Sequence, residues 1–333
     1  MKPFTSIAII GGGICGLATA FSYLERGVGK IKIFDLYEPG HHPRAIQAGL
    51  LHPYPGMRAK PIPDFDQMQR KTVRLLNIAQ MQSDQTLFAT CGLFRIASSF
   101  KRERDFQSAS IGDPLALYPA TLSDFAPHRV EEKSKRGLWI SNALAVHLPR
   151  YQRGLWLYLQ SRGVEFEKAR IESVNELLKS WQIAIIAGGF GSASLEQGAG
   201  QLKPLMGQWF VLKAPDGSDL KIGLSDRAYA FPIPGTMGEI FAGSTFEHTD
   251  KHLKAPDSQG VQLLSDCRRL IGIPELTVIK YGSSLRCSTP DHLPINKWLT
   301  DRIGVMTAMG SKGLARHTAC AEQLIATHPS FAQ

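Results

Sequence analysis

Ser6-Ile7-Ala8-Ile9-Ile10-Gly11-Gly12-Gly13-Ile14-Cys15-Gly16 decides the fold class. Its first half is a short apolar, β-branched run, the composition of a strand buried on both faces. Its second half carries glycine at 11, 13 and 16, which is the G-x-G-x-x-G spacing, directly after the strand. Leu17, Ala18, Ala20, Phe21 and Leu24 then recur at helical spacing as far as Arg26-Gly27. A second strand, Lys30-Ile31-Lys32-Ile33-Phe34, runs into Asp35. That acid stands about 20 residues past the glycines, where a dinucleotide-binding βαβ unit holds a ribose hydroxyl.

The parts have separate tasks. Gly11 permits the tight turn, Gly13 lets a pyrophosphate approach the backbone, and Gly16 packs helix against strand. Ile14 and Cys15 open the helix, whose first N–H groups and partial positive charge face the phosphates. Asp35 opposes a 2′-phosphate, because two negative charges would meet there. NAD and FAD share this device, so the unit specifies a dinucleotide and not which one.

Between Asp35 and residue 65, Pro39-Gly40, Pro43, Gly49, Pro53, Pro55-Gly56, Pro61 and Pro63 predict a long irregular loop. Helices are expected over 67–80 and 149–162, the second stopped by Gly163. Residues 87–118 read as short strands with a connecting helix. Val164-Glu165-Phe166 and 171–178 read as paired strands, and Ile183 to Ala187 as a buried strand broken by Gly188-Gly189-Phe190-Gly191. That glycine turn suits close backbone approach to a cofactor. From Pro204 to Arg286 the pattern is strand-like, predicting an antiparallel sheet. A strand at 303–307, a turn at Gly310 and Gly313, and a helix over 314–325 close the chain.

The 333 residues, 43% hydrophobic and 20% charged, suit two joined domains and exclude a disordered or fibrous chain. No apolar run of about 18 residues predicts a membrane span. The first residues pass straight into the strand pattern without a secretory core, so a cytoplasmic protein is expected. Five cysteines at 15, 91, 267, 287 and 320, without C-x-x-C, make neither a disulfide framework nor a zinc site. His41-His42 and His248/His252 lack the Cys or carboxylate neighbours that a metal site clusters. A net charge of +9 attracts anions: phosphates, nucleic acid or acidic substrates. Lys101-Arg102-Glu103-Arg104 and Lys133-Ser134-Lys135-Arg136 are its densest clusters.

In order along the chain, these segments resemble the D-amino-acid oxidase (DAO) superfamily of FAD-dependent oxidoreductases. Gly11 to Gly16 with Asp35 resembles its FAD fingerprint, and Ala48-Gly49-Leu50-Leu51 its small-residue stretch beside the flavin ring. Pro204-Leu205-Met206-Gly207-Gln208 resembles P-x-x-G-Q. Tyr229-Ala230-Phe231-Pro232 with Ala242-Gly243-Ser244-Thr245 resembles Y-x-x-P…G-x-T. Arg286-Cys287-Ser288-Thr289-Pro290-Asp291-His292-Leu293-Pro294 resembles R-x-x-T-x-D-x-x-P, and Gly310-Ser311-Lys312-Gly313-Leu314 the last flavin-contacting turn. Glycine oxidases and the C-terminal oxidoreductase domain of the bifunctional tRNA 5-methylaminomethyl-2-thiouridine biosynthesis protein are nearest in character. The chain departs from the family at Pro43-Arg44-Ala45-Ile46-Gln47, where A-S-G-x-x-x-G is usual, and at His147, where aspartate is common.

The resemblance implies an α/β fold: a Rossmann-like FAD-binding domain from residues 1–80, 140–205 and 285–333, and an inserted antiparallel-sheet substrate domain from 81–139 and 206–284. It implies FAD held by Gly11, Gly13, Ile14, Cys15, Gly16, Asp35, Ala48, Gly49, Leu50, Ala169, Ala187, Gly188, Gly310, Ser311, Lys312, Gly313 and Leu314. It further implies that Arg286 anchors a substrate carboxylate, as a fork-shaped cation can and lysine cannot, and that Tyr229 hydrogen-bonds or caps it. The expected substrate is a small carboxylated amine: glycine-like, a D-amino acid, or a carboxymethylaminomethyl-uridine in tRNA, whose phosphates the basic surface would hold. Two other readings keep the fold: a 2-hydroxy-acid dehydrogenase and a non-catalytic flavin-binding protein. Cys287 lies near the active region by this resemblance and reads as a small buried side chain.

Overall fold

The computed structural model describes residues 5–125, 135–195, 202–215 and 218–328. The opening Met1–Phe4 and Lys133-Ser134 of the second basic cluster lie outside the described residues. β1 (Ser6–Ile10), α1 (Ile14–Leu24) and β2 (Lys30–Asp35) follow one another as the opening sequence dictates. Ile7, Ala8 and Ile9 are fully buried, because β1 lies between parallel neighbours and is covered on both faces.

The stretch after β2 is not irregular throughout. Ala48–Leu51 forms β3, which pairs antiparallel with the distant β8 (Leu144–His147). No local pattern announces a partner so far along the chain. Between them come α2 (Phe65–Gln80), β4 (Phe88–Thr90), β5 (Leu93–Ile96), α3 (Phe100–Ser110), β6 (Ala116–Thr121) and β7 (Arg136–Ile140). α4 (Leu148–Ser161) follows, with Pro149 in its first turn and Gly163 at φ +86° just past its end.

β9 (Glu165–Lys168) pairs in parallel with β2, and the expected partner strand over 171–178 does not form. α5 (Val174–Leu177) takes its place, and Ile171, Leu177 and Leu178 pack on a cluster containing Ala184 and Val305. One helical turn directs the adjacent Leu177 and Leu178 toward that cluster, whereas a strand would send them to opposite faces.

β10 (Ile183–Ile186), β11 (Lys203–Lys213), β12 (Gly223–Ser225), β13 (Tyr229–Pro232) and β14 (Glu239–Gly243) lead to α6 (Ser258–Ile271). The strand-like reading of 204–286 missed this helix. Asp257 caps it by accepting from the Gly260 N–H at 3.0 Å, and Gly272 ends it at φ +64°. β15 (Thr277–Ser288), β16 (Ile295–Trp298), β17 (Ile303–Thr307) and α7 (Gly313–Ala326) complete the chain.

The first sheet has the order β16-β17-β10-β1-β2-β9, parallel except for β16. The second, β15-β11-β14-β13-β12-β5-β7-β6, is antiparallel except between β12 and β5. The third is β3-β8-β4. The fold is thus α/β, with a Rossmann-like parallel sheet and a large antiparallel one. α1, α2, α4 and α7 bury their apolar faces with β1, β2 and β10 in one core around Leu17, Leu76, Trp156 and Leu324. α6 packs against one face of the second sheet, over Phe210, Leu212 and Leu224. The other face turns toward β3 and β8, with Trp209, Val211 and Phe241 against Ala48 and Ala145. That second face carries the candidate site.

Candidate active site

The carboxyl ends of β1, β2 and β10 converge on the glycine loop. Gly11 donates to Phe34 O at 2.8 Å, and Ala187 donates to Ile10 O at 2.8 Å. Gly16 is glycine for want of room: an added Cβ would lie 1.9 Å from Gly11 O. Gly13, by contrast, faces open space, with nothing within 4 Å of an added Cβ. No side chain caps α1, and its first turn holds no acid. The helix start therefore offers its N–H groups to an anion. Asp35 accepts from the Gly12 N–H at 2.6 Å and the Tyr37 N–H at 3.2 Å, which fixes its carboxylate at the strand end. Ala169 lies beside it, its N–H on Asp35 O at 3.0 Å. A cradle left open by Gly13, an uncapped helix start and a fixed carboxylate fit the diphosphate and ribose of a dinucleotide.

A second group of predicted residues meets this loop from the far end of the chain. Gly313 lies against Ile14, whose Cδ1 would be 3.6 Å from an added Cβ. Gly49 faces Leu148 and Leu314 at 3.3 and 3.4 Å by the same measure. Gly310, at φ +57°, comes within 3.8 Å of Ser288 Oγ in this way, and Ser311 and Lys312 continue the turn. Burial, with Arg316 nearby, holds the Lys312 ammonium below its usual range. Gly188 packs under Gly11, and the Thr307 hydroxyl donates to Gly189 O at 3.0 Å. Cys287 is buried with its thiol against that hydroxyl at 3.5 Å. Burial pushes the Cys15 thiol up, with Cys320 and Cys287 adding to the shift, so it is held as an unreactive thiol.

Arg286 and Tyr229 lie on the second sheet, on strands separated by β11 and β14. Arg286 pairs with Leu205, and Tyr229 pairs with Gly243, which itself pairs with Trp209. Cross-strand partners share a face, so both side chains project toward β3. Tyr229 and Leu50 pack against one cluster with Ala48, Trp209 and Phe241.

The guanidinium of Arg286 crosses over Gly207. A Cβ there would lie 3.2 Å from Nη2 and 2.9 Å from Thr245 O, so the passage needs glycine. Nη2 donates to Ser244 Oγ at 2.6 Å, and the ring of Phe246 covers the cation with its centroid 5.2 Å from Cζ. Nη1 is shut off from solvent and has no partner among the described residues. Burial alone draws the guanidinium pKa down to about 10. Arg286 is thus a half-buried cation whose Nη1 is withdrawn from water and faces no carboxylate among the described residues, an arrangement that suits an anion.

Three residues of this arrangement were not singled out from sequence. Gly207 and Ser244 stand inside the P-x-x-G-Q and G-x-T motifs, whose spacing carries no sign of their contact with Arg286. His52 directly follows the small-residue stretch, which is its only signal. It is 6% exposed, its Nδ1 has no partner among the described residues, and its ring centroid lies 6.1 Å from that of Tyr229. Burial, reinforced by Arg95, lowers its pKa to about 3, so the ring is neutral. His147, in place of aspartate, caps α4 by accepting from the Arg150 N–H at 3.5 Å. Among the described residues, no group of His, Cys, Asp and Glu could hold a metal, and no helix is long and apolar enough to cross a membrane.

Comparison with known proteins bears on this geometry. The DAO family model, described as FAD dependent oxidoreductase, matches residues 6–327. Glycine oxidase of Pseudomonas putida is 24% identical over 320 residues, covering 86% of this chain and 84% of that protein. The tRNA 5-methylaminomethyl-2-thiouridine biosynthesis bifunctional protein of Leptospira interrogans is 22% identical over 324 residues, covering 87% of this chain. The chain spans only 48% of that relative's length. Among solved structures, glycine oxidase from Geobacillus kaustophilus superposes with a TM-score of 0.82 at 19% identity, over 97% of this chain and 93% of that one. Iminodiacetate oxidase from Chelativorans sp. BNC1 gives 0.76 at 16% identity, over 96% and 94%.

Proposed function

The chain belongs to the DAO family of FAD-dependent oxidoreductases, and from that premise we propose that it oxidises the C–N bond of a carboxylated amine. The substrate is glycine-like, a D-amino acid, or the carboxymethylaminomethyl group of a uridine in tRNA. The observation that carries this reading is the Nη1 of Arg286, shut off from water and without a partner among the described residues.

Each part of the chain has a place in this reaction. The N-terminus of α1, with Gly13 leaving room, would hold the FAD diphosphate, and Asp35 would hold the ribose. Ala48 to Leu50, Gly188 and the 310–314 turn would hold its flavin, and Ala169 and Ala187 its nucleotide. Residues 1–80, 140–205 and 285–333 form the FAD-binding domain, and 81–139 and 206–284 the substrate domain. When bound, FAD supplies the acceptor for the hydride.

Arg286 fixes the substrate carboxylate, and Tyr229 closes over it, so that the carbon bearing the amine is held in one orientation. Loss of hydride from that carbon to the acceptor FAD would supply, and of a proton from the nitrogen to water, would turn C–N into C=N. Water then hydrolyses the imine to an oxo acid and a free amine. The positive field of Arg286 favours the neutral, reactive form of the substrate amine. Neutral His52 adds an acceptor for its N–H without adding charge. The net charge of +9 supports the tRNA member of the substrate class.

Anaerobic titration of the holoprotein with glycine, N-methylglycine, D-alanine and lactate tests the proposal. Bleaching of the flavin by one of the amines and not by lactate is expected. Bleaching by lactate alone would replace the proposal with hydroxy-acid oxidation.

A further inference from the structure

Phe246 is 60% exposed, yet one face of its ring covers the Arg286 guanidinium. It does not hang on a loose loop. Met206 and Glu247 exchange N–H···O bonds at 2.8 and 3.0 Å, and Thr245 donates to Gln208 O at 3.2 Å. Gln208, fully buried, donates from Nε2 to Glu247 Oε1 at 3.1 Å and to Asp257 Oδ1 at 2.7 Å. Its backbone N–H donates to Thr245 Oγ1 at 2.9 Å. The segment from Ser244 to Glu247 is therefore bolted to β11. It presents Ser244 to the guanidinium nitrogen and Phe246 to the guanidinium face.

An aromatic ring carried on a fixed backbone, covering the guanidinium and open on its other side, stands where the outer wall of the proposed carboxylate site would be. We propose that Phe246 selects the substituent on the substrate nitrogen, favouring N-substituted glycines that carry a planar ring over free glycine. The carboxylate sits on Arg286, and the remote ring packs against the rim and open side of Phe246. This inference rests on the amine-oxidising reading and narrows its substrate class. Contact between two aromatic rings is expected to favour the ring-bearing substrate by about three- to tenfold.

The test compares kcat/KM for glycine and N-benzylglycine in the wild-type holoprotein, Phe246→Ala and Phe246→Tyr, with the flavin spectrum confirming that each variant is loaded. Wild type and Phe246→Tyr are expected to prefer N-benzylglycine by that factor, and Phe246→Ala to lose the preference. A preference of equal size in Phe246→Ala, or none in the wild type while glycine is oxidised, would overturn the assignment of selectivity to this residue. Oxidation of neither amine by a holoprotein that D-alanine still bleaches would overturn this proposal and leave amine oxidation standing, whereas bleaching by none of glycine, N-methylglycine, D-alanine and N-benzylglycine would remove both.

Discussion

Arg286 reaches across β11 to donate to Ser244 Oγ at 2.6 Å, a contact that passes over Gly207. One guanidinium nitrogen is thereby fixed, and the other is left buried without a partner among the described residues. Ser244 sets the plane of the fork, and in the proposed reaction the other edge takes the substrate carboxylate. Replacing Arg286 by methionine should lower kcat/KM for a carboxylated amine by about 10²–10³-fold, mainly through KM, because a buried charged partner is lost. The same variant should melt close to wild type in the absence of substrate, since the half-buried guanidinium keeps its Ser244 bond and Phe246 contact but leaves Nη1 withdrawn from water without a partner among the described residues. Steady-state kinetics and thermal melting check the two halves. Unchanged kinetics would exclude the anchor role.

Two glycines in one loop should respond differently to alanine. At Gly16 a Cβ would strike Gly11 O at 1.9 Å, so Gly16→Ala should destabilise the protein by several kcal/mol, on the order of an overpacked core. At Gly13 the backbone has φ −74° and nothing within 4 Å of a Cβ. Gly13→Ala should keep the stability of the FAD-free protein within about 1 kcal/mol and weaken FAD binding. Melting of the stripped proteins, followed by FAD titration, separates the effects. Equal FAD affinity in Gly13→Ala would argue against a diphosphate at this helix start.

How far the sequence carried depends on how local each feature is. β1, α1 and β2 were legible because strand, glycine turn, helix and Asp35 lie within one short stretch and each has its own pattern. β3 was not, because Ala48–Leu51 becomes a strand only by pairing with Leu144–His147. α6 was hidden among strands, although Asp257 and Gly272 mark its ends. Arg286 and Tyr229 were found through motif wording, but no spacing rule places them on one face. That follows from the register through β11 and β14. Gly207 illustrates the limit: it is needed because Arg286, far along the chain, crosses over it.

His317 should make stability sensitive to acid. It is fully buried between Tyr151, whose hydroxyl lies 2.7 Å from Nε2, and the Gly313 and Leu314 carbonyls at 3.2 and 3.1 Å from Nδ1. Burial depresses its pKa to about 4 in the folded chain, against an ordinary value of 6.5. Above pH 6.5 both folded and unfolded forms are neutral, and the full stability is present. As pH falls from 6.5 toward 4, the unfolded chain takes up a proton that the folded chain refuses, and about 3 kcal/mol is lost. Denaturant melts at pH 7 and 4.5 should show at least that decline in the wild type, with buried His52 adding to it by the same linkage. His317→Gln should decline less, and an equal decline in both would assign the acid sensitivity elsewhere.

The most direct test of the central claim pairs two substrates that differ only in the carboxylate. The holoprotein is mixed without oxygen with N-methylglycine and, separately, with dimethylamine, which lacks the carboxylate, and flavin absorbance is followed. The account predicts rapid bleaching by N-methylglycine in the wild type, none by dimethylamine, and loss of the first response in Arg286→Met. Equal bleaching by both amines, or bleaching by N-methylglycine that survives in Arg286→Met, would contradict it.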